Sequence, residues 1–168
     1  MFKHVIMNTY EIPAGTRIGH VHLKVSDLQR SLDFYSGLLG FNLVMKYGTE
    51  AAFISAGGYH HHIGLNTWHS KGTQPAPVRA PGLYHTAILF PERKDLAEIL
   101  QRLIDNKYPI TGMSDHGVSE AIYLDDPDHN GVELYWDKPK DQWPTDENGD
   151  LTMFTQHLDV HSLLAELK

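Results

Sequence analysis

The segment Ile18-Gly-His-Val-His-Leu-Lys-Val25 is typical of a β-strand with one buried face, because its polar and apolar residues alternate. The alternation puts Val21, Leu23 and Val25 on one face of the strand and turns His20, His22 and Lys24 to the other. We therefore expect a sheet that covers an apolar core with one face and presents histidines on the opposite face.

A helix and three further strands are predicted after this strand. Asp27 is suited to cap the helix, and an apolar stripe at helical spacing is formed by Leu28, Leu32, Tyr35 and Leu39. Gly37 and Gly40 help to end the helix. Runs typical of strands follow near residues 41–47, 51–55 and 61–68, with glycine-containing turns between them.

The same order of elements recurs in the second half of the chain. A strand at 83–90 contains His85, a helix at 92–107 carries the stripe Leu96, Ile99, Leu100 and Leu103, and strands are predicted near 110–115, 118–124 and 132–136. Repetition at this length indicates two copies of one unit, neither of which closes its sheet alone. The predicted fold is α+β, with two βαβββ modules that form one open mixed β-barrel, or cup, with flanking helices.

One domain over residues 1–168 is expected to contain both modules. Module 1 covers about 17–68, a linker rich in Pro and Gly covers 69–82, module 2 covers about 83–137, and a C-terminal tail covers 138–168. The tail ends in a short amphipathic segment with Val160, Leu163, Leu164 and Leu167. We expect this segment to form a helix that docks on the domain or on a partner.

Composition excludes several classes of function. The chain of 168 residues has a formal net charge of −7 and no basic run, which argues against nucleic-acid binding. It has no cysteine, which excludes disulfides, Cys-zinc sites and thiol nucleophiles. No apolar stretch approaches the roughly 20 residues that span a bilayer, and the N-terminal segment lacks a signal-peptide core. A soluble cytoplasmic protein without membrane contacts is expected.

Three side chains on the polar strand faces are candidates for a metal site. His20 and His85 open the two modules, and Glu133 lies opposite the apolar residues of the last strand of module 2. A buried carboxylate beside two imidazoles is costly unless a cation compensates its charge. Two histidines and one carboxylate suit non-heme Fe(II), with Mn(II) next. Since a strand histidine is more often a core or surface residue than a ligand, spacing alone leaves both interpretations open.

Two signatures resemble those of a known family. His20-Val-His-Leu-Lys-Val-Ser-Asp27, followed by Ser31-Leu-Asp-Phe-Tyr35 and Leu38-Leu-Gly-Phe41, resembles the opening signature of the vicinal oxygen chelate superfamily. That superfamily includes glyoxalase I, extradiol ring-cleaving dioxygenases and bleomycin-resistance proteins. Asp126-Pro-Asp-His-Asn-Gly-Val-Glu-Leu-Tyr135 resembles the closing signature, in which Glu133 falls on the metal-binding glutamate. The resemblance covers roughly residues 17–137 and implies that His20, His85 and Glu133 hold a metal ion.

Within the superfamily, the sequence is most similar to the Bacillus-type catechol 2,3-dioxygenase group. Glyoxalase I has a fourth metal ligand, a glutamate, where this chain has Gly64, whereas extradiol dioxygenases use only two histidines and one glutamate. His60-His-His-Ile-Gly64 resembles the segment that contains the acid–base histidine of the extradiol enzymes, and His61 is the residue that lines up. Tyr123 and His116 fall near an active-site tyrosine and a pocket histidine, which would hydrogen-bond the substrate oxygens.

The resemblance implies a non-heme Fe(II)-dependent extradiol ring-cleaving dioxygenase, with Mn(II) as the alternative metal, that acts on a catechol-like aromatic diol and dioxygen. His61 would take a proton from a substrate hydroxyl. Two alternatives stay open: another metal-dependent enzyme of this superfamily, such as a glyoxalase-like lyase or isomerase, and a non-catalytic protein that binds a small molecule. Full-length enzymes of the resembled group usually carry four modules whereas this chain has two, and a homo-oligomer is expected.

Overall fold

The structure, a computed structural model, describes residues 10–168. Residues 1–9 lie outside the described residues. They include the start of the predicted domain and part of the segment that was expected to lack a signal-peptide core. The chain forms two mixed β-sheets, of four and five strands, with a few helices, which confirms the predicted α+β class. Within residues 10–168, no hydrogen-bonded ladder joins the two sheets into a closed barrel.

The first sheet contains β1 (Val21–Lys24), β2 (Asn42–Tyr47), β3 (Ala51–Ser55) and β4 (Ile63–Asn66), in the spatial order β1-β4-β3-β2. β1 runs parallel to β4, and the other neighbouring strands are antiparallel. Between β1 and β2 lies α1 (Leu28–Leu32), which continues as a π-helical segment (Asp33–Leu38). Asp27 caps α1 as predicted, because its Oδ1 accepts a hydrogen bond from the Arg30 amide at 3.0 Å.

The second sheet has the same connectivity, which confirms the predicted repeat. It contains β5 (His85–Leu89), β6 (Gly112–Asp115), β7 (Ser119–Asp125), β8 (Gly131–Asp137) and β9 (Gln156–His157), in the order β5-β8-β7-β6-β9. β5 is parallel to β8, as β1 is to β4, and α2 (Arg93–Asp105) connects β5 to β6. β9, which comes from the C-terminal tail, has no counterpart among the strands that residues 10–168 contribute to the first sheet.

Side-chain burial follows the strand faces predicted from alternation. Leu23 and Val25 are buried, whereas His20 and Lys24, on the opposite face of β1, are exposed. The four apolar residues predicted to form the buried stripe of α2 are all buried: Leu96, Ile99, Leu100 and Leu103. One cluster of buried apolar side chains includes residues of both modules and of the tail. Each fully buried aliphatic side chain of this cluster contributes roughly 1.5–3 kcal/mol relative to exposure.

Two strands of module 1 are shorter than predicted. The strand expected from residue 18 begins at Val21, because β4 supplies hydrogen-bonded partners only to residues 21–24 and the side chain of Ile18 is 91% exposed. The strand expected over 61–68 is confined to Ile63–Asn66 for the same reason. His20 therefore lies directly before the first residue of β1, and His61 lies shortly before the first residue of β4.

The C-terminal tail docks on the domain through α3 (Val160–Leu164) and a 3₁₀ turn (Ala165–Leu167), as predicted. Leu163 is fully buried, and Arg93 of α2 forms ion pairs at 2.8 Å with both Glu120 and Glu166. These contacts hold the tail against α2 and β7. In the described part of the chain, no helix is long and apolar enough to cross a membrane.

The turn at residues 126–130, here called the acidic turn, joins the two modules. The carboxylate of Asp128 accepts hydrogen bonds from the Ser26 amide at 2.9 Å, the Ser26 hydroxyl at 2.6 Å and the Arg30 guanidinium at 2.6 Å. The Tyr35 hydroxyl donates to Asp126 Oδ2 at 3.0 Å, and burial beside these carboxylates raises the Tyr35 pKa far above its usual range. The β7–β8 connection of module 2 is thereby bonded to the β1–α1 connection of module 1.

We expect Asp128→Ala to lower the free energy of unfolding by about 2–3 kcal/mol, because it leaves the Ser26 amide and the Arg30 guanidinium without their shared acceptor. Urea denaturation followed by circular dichroism measures this change. The matched control is Asp141→Ala, at an exposed position of the tail, which should leave the denaturation midpoint unchanged. Equal midpoints for the Asp128 variant and the unmodified protein would show that the acidic turn does not stabilise the fold.

Candidate metal centre

Glu133 lies in the middle of β8, and β8 lies between β5 and β7 in the second sheet. Its ladder partners are Ala87 on β5 and Tyr123 on β7. Its neighbours Val132 and Leu134 are buried against the core, so the alternation of β8 turns Glu133 to the opposite face of the sheet. This is the face on which a metal ligand was predicted.

The two carboxylate oxygens of Glu133 have different partners. Oε1 accepts a hydrogen bond from the Tyr123 hydroxyl at 2.8 Å, and Oε2 lies 3.0 Å from Nε2 of His85. The Glu133 side chain is only 13% exposed, so both contacts compensate a carboxylate that has lost most of its water. Burial and the adjacent Glu133 carboxylate raise the pKa of Tyr123 well above its usual range, so this phenol keeps its proton.

His116 extends this network by one step. Its Nε2 lies 2.7 Å from the Tyr123 hydroxyl oxygen, so a continuous chain of contacts runs from His116 through Tyr123 to Glu133. His85, His116 and Tyr123 line a cavity of about 590 Å³, together with Thr155 of the tail. Three of the predicted site residues in module 2 therefore meet at one cavity wall, and the fourth, Glu133, is bonded to two of them.

The predicted site residues of module 1 form a separate cluster. The ring of His20 lies against that of His61, with 4.4 Å between the centroids, and Nδ1 of His61 lies 2.7 Å from Nδ1 of His60. Partial desolvation lowers the pKa of His61, and the nearby histidines, His20 first among them, lower it further. The structure thus places the predicted acid–base residue beside the predicted ligand His20.

The three predicted metal ligands are not assembled in the structure. Over residues 10–168, no group of three or more His, Asp or Glu side chains is arranged to hold one metal ion. His85 and Glu133 fit a metal as an adjacent imidazole and carboxylate. Among residues 10–168, the His85 ring has one polar contact, the one with Glu133 that ligation would replace. His20 contacts His61 instead of this pair, so the complete triad stays a prediction.

Gly64, which stands where the resemblance places a fourth ligand of glyoxalase I, lies directly under another side chain. It pairs with His22 across the β1–β4 ladder, and a Cβ atom at position 64 would lie 2.9 Å from the His22 ring. A side chain at this position would therefore have to displace His22. This part of module 1 is filled by an imidazole in place of a carboxylate.

Sequence reasoning missed the contribution of the tail to the cavity. Thr155 lines the cavity next to His116, and β9 follows it directly. β9 has only two residues, too few to show the alternation by which the other strands were predicted. Tyr84, another lining residue, was predicted as part of the strand at 83–90 and was given no role in the site, and in the structure it lies directly before β5.

Comparisons with known proteins agree on one family. A family model described as the glyoxalase/bleomycin resistance protein/dioxygenase superfamily matches residues 17–134. The chain is 40% identical over 156 residues to a catechol-2,3-dioxygenase of Bacillus subtilis (strain 168), covering 92% of this chain and 53% of that protein. It is 32% identical over 128 residues to biphenyl-2,3-diol 1,2-dioxygenase 2 of Rhodococcus globerulus, covering 74% of this chain and 64% of that protein. The chain spans about half of the first relative and under two thirds of the second.

Among solved structures, the fold is similar to that of a glyoxalase/dioxygenase from Nostoc punctiforme, with a TM-score of 0.64 and 19% sequence identity. The match covers 79% of this chain and 99% of that one. At this identity the similarity supports the arrangement of the two modules and carries no information about the reaction.

We expect Gly131→Ala to disrupt the His85–Glu133 pair and to lower the free energy of unfolding by about 3 kcal/mol. Gly131 is the β8 partner of His85, and a Cβ atom there would overlap the carbonyl oxygen of Tyr84 and press on His85. Since the obstacle is backbone, β5 would have to move as a whole. Urea denaturation and an amide NMR spectrum report the two effects.

The matched control for this substitution is Gly82→Ala, two residues before Tyr84, where an added Cβ meets no atom within 4 Å. That variant should have the stability and spectrum of the unmodified protein. A Gly131→Ala protein of unchanged stability would show that the close approach of β5 and β8 is not a constraint on the fold.

Proposed function

The chain belongs to the glyoxalase/bleomycin resistance protein/dioxygenase superfamily, and on that premise we propose that it is a non-heme Fe(II)-dependent extradiol dioxygenase that cleaves a catechol-like diol. One observation carries the proposal: Glu133 is bonded to Tyr123 and faces His85 beside a cavity, in a chain 40% identical to a catechol-2,3-dioxygenase. Because this chain spans about half of that relative, its activity and substrate are proposals about this chain alone.

The proposed ligands are His20, His85 and Glu133. When bound there, Fe(II) would supply Lewis acidity and open coordination positions for a diol and dioxygen. The chain's own contribution is to orient the carboxylate: Tyr123 donates to Oε1 of Glu133 and leaves Oε2 free to face His85. Orientation of a ligand by a hydrogen-bonded neighbour increases metal affinity, commonly by 10- to 100-fold.

The cavity beside these residues suits a small aromatic ring. Its volume of about 590 Å³ lies inside the usual range of ligand pockets. Tyr84 supplies an exposed aromatic ring to the cavity, and His116 and Tyr123 supply hydrogen-bonding groups. A diol bound in this cavity would have its oxygens within reach of the imidazole and the phenol.

His61 is proposed to accept a proton from a substrate hydroxyl. Its ring lies against His20, so it is next to one of the proposed ligands, although it does not line the cavity beside His85. A general base has to reach the proton that it removes. The role of His61 therefore depends on His20 joining His85 and Glu133 when the metal binds.

A glyoxalase-like reaction is the second candidate, because the superfamily includes glyoxalases. It is disfavoured by Gly64, which cannot ligate a metal and which lies under the ring of His22. Metal preference separates the two reactions. Activity with Ni(II), Co(II) or Zn(II) that is indifferent to oxygen would favour the second candidate, since those ions polarise oxygen ligands without activating dioxygen.

We predict that protein loaded with Fe(II) under anaerobic conditions consumes dioxygen when catechol and air are added, and forms a yellow ring-opened product. An oxygen electrode and an absorbance spectrum measure the two changes. The test uses a panel of catechols and hydroquinones. Hydroquinones are included because their two hydroxyl groups are not adjacent and cannot both bind one metal ion. Absence of oxygen uptake with every member of the panel would rule out the proposed reaction.

Substitutions should separate metal ligands from the proton acceptor. His85→Ala and Glu133→Ala should lose iron and activity together, because two remaining ligands hold iron poorly. His61→Ala should keep its iron and lose turnover by a factor of about 10² or more. The control is His161→Ala, an exposed histidine of α3, which should keep both. Full iron occupancy in the Glu133 variant would contradict the assignment, and loss of iron from the His61 variant would identify it as a ligand.

A further inference from the structure

The C-terminal tail touches His116 on the side of its ring that faces away from Tyr123. Nδ1 of His116 lies 3.2 Å from the carbonyl oxygen of Phe154 and 3.3 Å from the hydroxyl oxygen of Thr155. Nε2, on the other side, lies 2.7 Å from the Tyr123 hydroxyl. The imidazole is therefore held between the tail and the phenol, and its tautomer decides which contacts are hydrogen bonds.

The single phenol proton of Tyr123 fixes the direction of the Nε2 contact. Tyr123 donates that proton to Glu133 Oε1 at 2.8 Å, so the phenol oxygen has only lone pairs left for His116. Nε2 of His116 must then carry a hydrogen and donate it. In the neutral ring, this leaves Nδ1 as an acceptor that needs a donor.

Of the two tail groups at Nδ1, only Thr155 is able to donate. The Phe154 carbonyl oxygen is an acceptor, and facing an unprotonated Nδ1 it would repel the lone pair. The Thr155 hydroxyl donates to Nδ1 and so favours the tautomer with hydrogen on Nε2, whereas the Phe154 carbonyl favours the opposite one. The hydroxyl of Thr155 thus decides which of the two His116 tautomers is favoured.

The tail is fixed in this position by the turn after β6. Gly117 has a φ of +81°, and a Cβ atom there would lie 2.7 Å from the Phe154 ring and 2.8 Å from Pro144. Two residues past Thr155, His157 pairs with Ser114 of β6. The close approach of the tail to His116 therefore rests on the packing of the Phe154 ring against Gly117 on one side of Thr155 and on the pairing of β9 with β6 on the other.

We infer that Thr155 is a positioning residue, whose hydroxyl donates to Nδ1 of His116 and so sets the direction of the hydrogen bonds from His116 through Tyr123 to Glu133. Its effect on the tautomer is independent of any reaction. Its effect on turnover rests on the proposed dioxygenase function.

Loss of the hydroxyl has a defined consequence along the chain of contacts. Without the donor, the Phe154 carbonyl favours hydrogen on Nδ1, and Nε2 becomes an acceptor. Tyr123 then has two acceptors, Nε2 of His116 and Oε1 of Glu133, for one proton. Glu133 loses all or part of the hydrogen bond that orients it.

The test compares Thr155→Val, which removes the hydroxyl at nearly constant volume, with Thr155→Ser, which retains it. Nitrogen-15 NMR of the full-length metal-free chain reports which ring nitrogen of His116 carries hydrogen, with the signal assigned by its absence in His116→Gln. We expect hydrogen on Nε2 in the unmodified protein and in Thr155→Ser, and on Nδ1 in Thr155→Val. Thr152→Val, a tail threonine without a hydrogen bond to His116, is the control and should retain the Nε2–H form.

Hydrogen on Nδ1 in the unmodified protein would overturn the inference, and this result does not depend on whether any variant folds. An unchanged tautomer in folded Thr155→Val would overturn it as well.

Kinetics test the link to turnover. In the iron-loaded protein, Thr155→Val should lower kcat for oxygen uptake by roughly tenfold with little change in KM, and Thr155→Ser should restore it. Unchanged kcat in Thr155→Val would show that the Thr155 hydroxyl has no role in turnover. If the unmodified protein consumes no oxygen, the proposed function fails, whereas the NMR result still decides the tautomer.

Discussion

The hydrogen bonds that Asp128 accepts from Ser26 and Arg30 join the two modules through one carboxylate, in addition to the apolar core that the modules share. Ser26 follows β1, the strand that His20 precedes, and Asp128 precedes β8, which carries Glu133. The Asp128 side chain therefore connects the segment that follows β1 to the segment that precedes β8, and the proposed ligands His20 and Glu133 lie close to these two segments. Because the Asp128 carboxylate is 7% exposed, these donors replace most of its water, and removing them would leave a buried charge uncompensated.

A second buried carboxylate organises module 2 in the same way. Glu133 is held between Tyr123 and His85, and Tyr123 is held in turn by His116 and, through it, by Thr155 of the tail. In both places a charge taken out of water is compensated by directed donors from distant parts of the chain. The tail thereby contacts the cavity wall through Thr155 as well as α2 through α3.

Alternation and helical spacing sufficed to predict most of the fold, because they depend on neighbours in sequence. β3 was predicted over the residues that it occupies, and the buried stripe of α2 was correct. The strand face of Glu133 was also correct, since burial of Val132 and Leu134 fixes it, whereas His20 lies one residue before β1. β9 and the contacts of Asp128 could not be predicted, because they join residues far apart in sequence and leave no periodic signal.

The difference between local patterns and long-range contacts also explains the metal site. The sequence predicts a metal triad, whereas the structure does not bring its three residues together. Alternation gives the face of a strand from which His20 projects, but its distance from His85 depends on how module 1 sits against module 2. In the structure His20 contacts His61, so a metal bound by all three ligands requires His20 to approach His85 and Glu133. The free energy of that approach subtracts from the intrinsic affinity for the metal. Metal affinity should therefore depend on the contacts between modules, those of Asp128 among them, as well as on the ligands themselves.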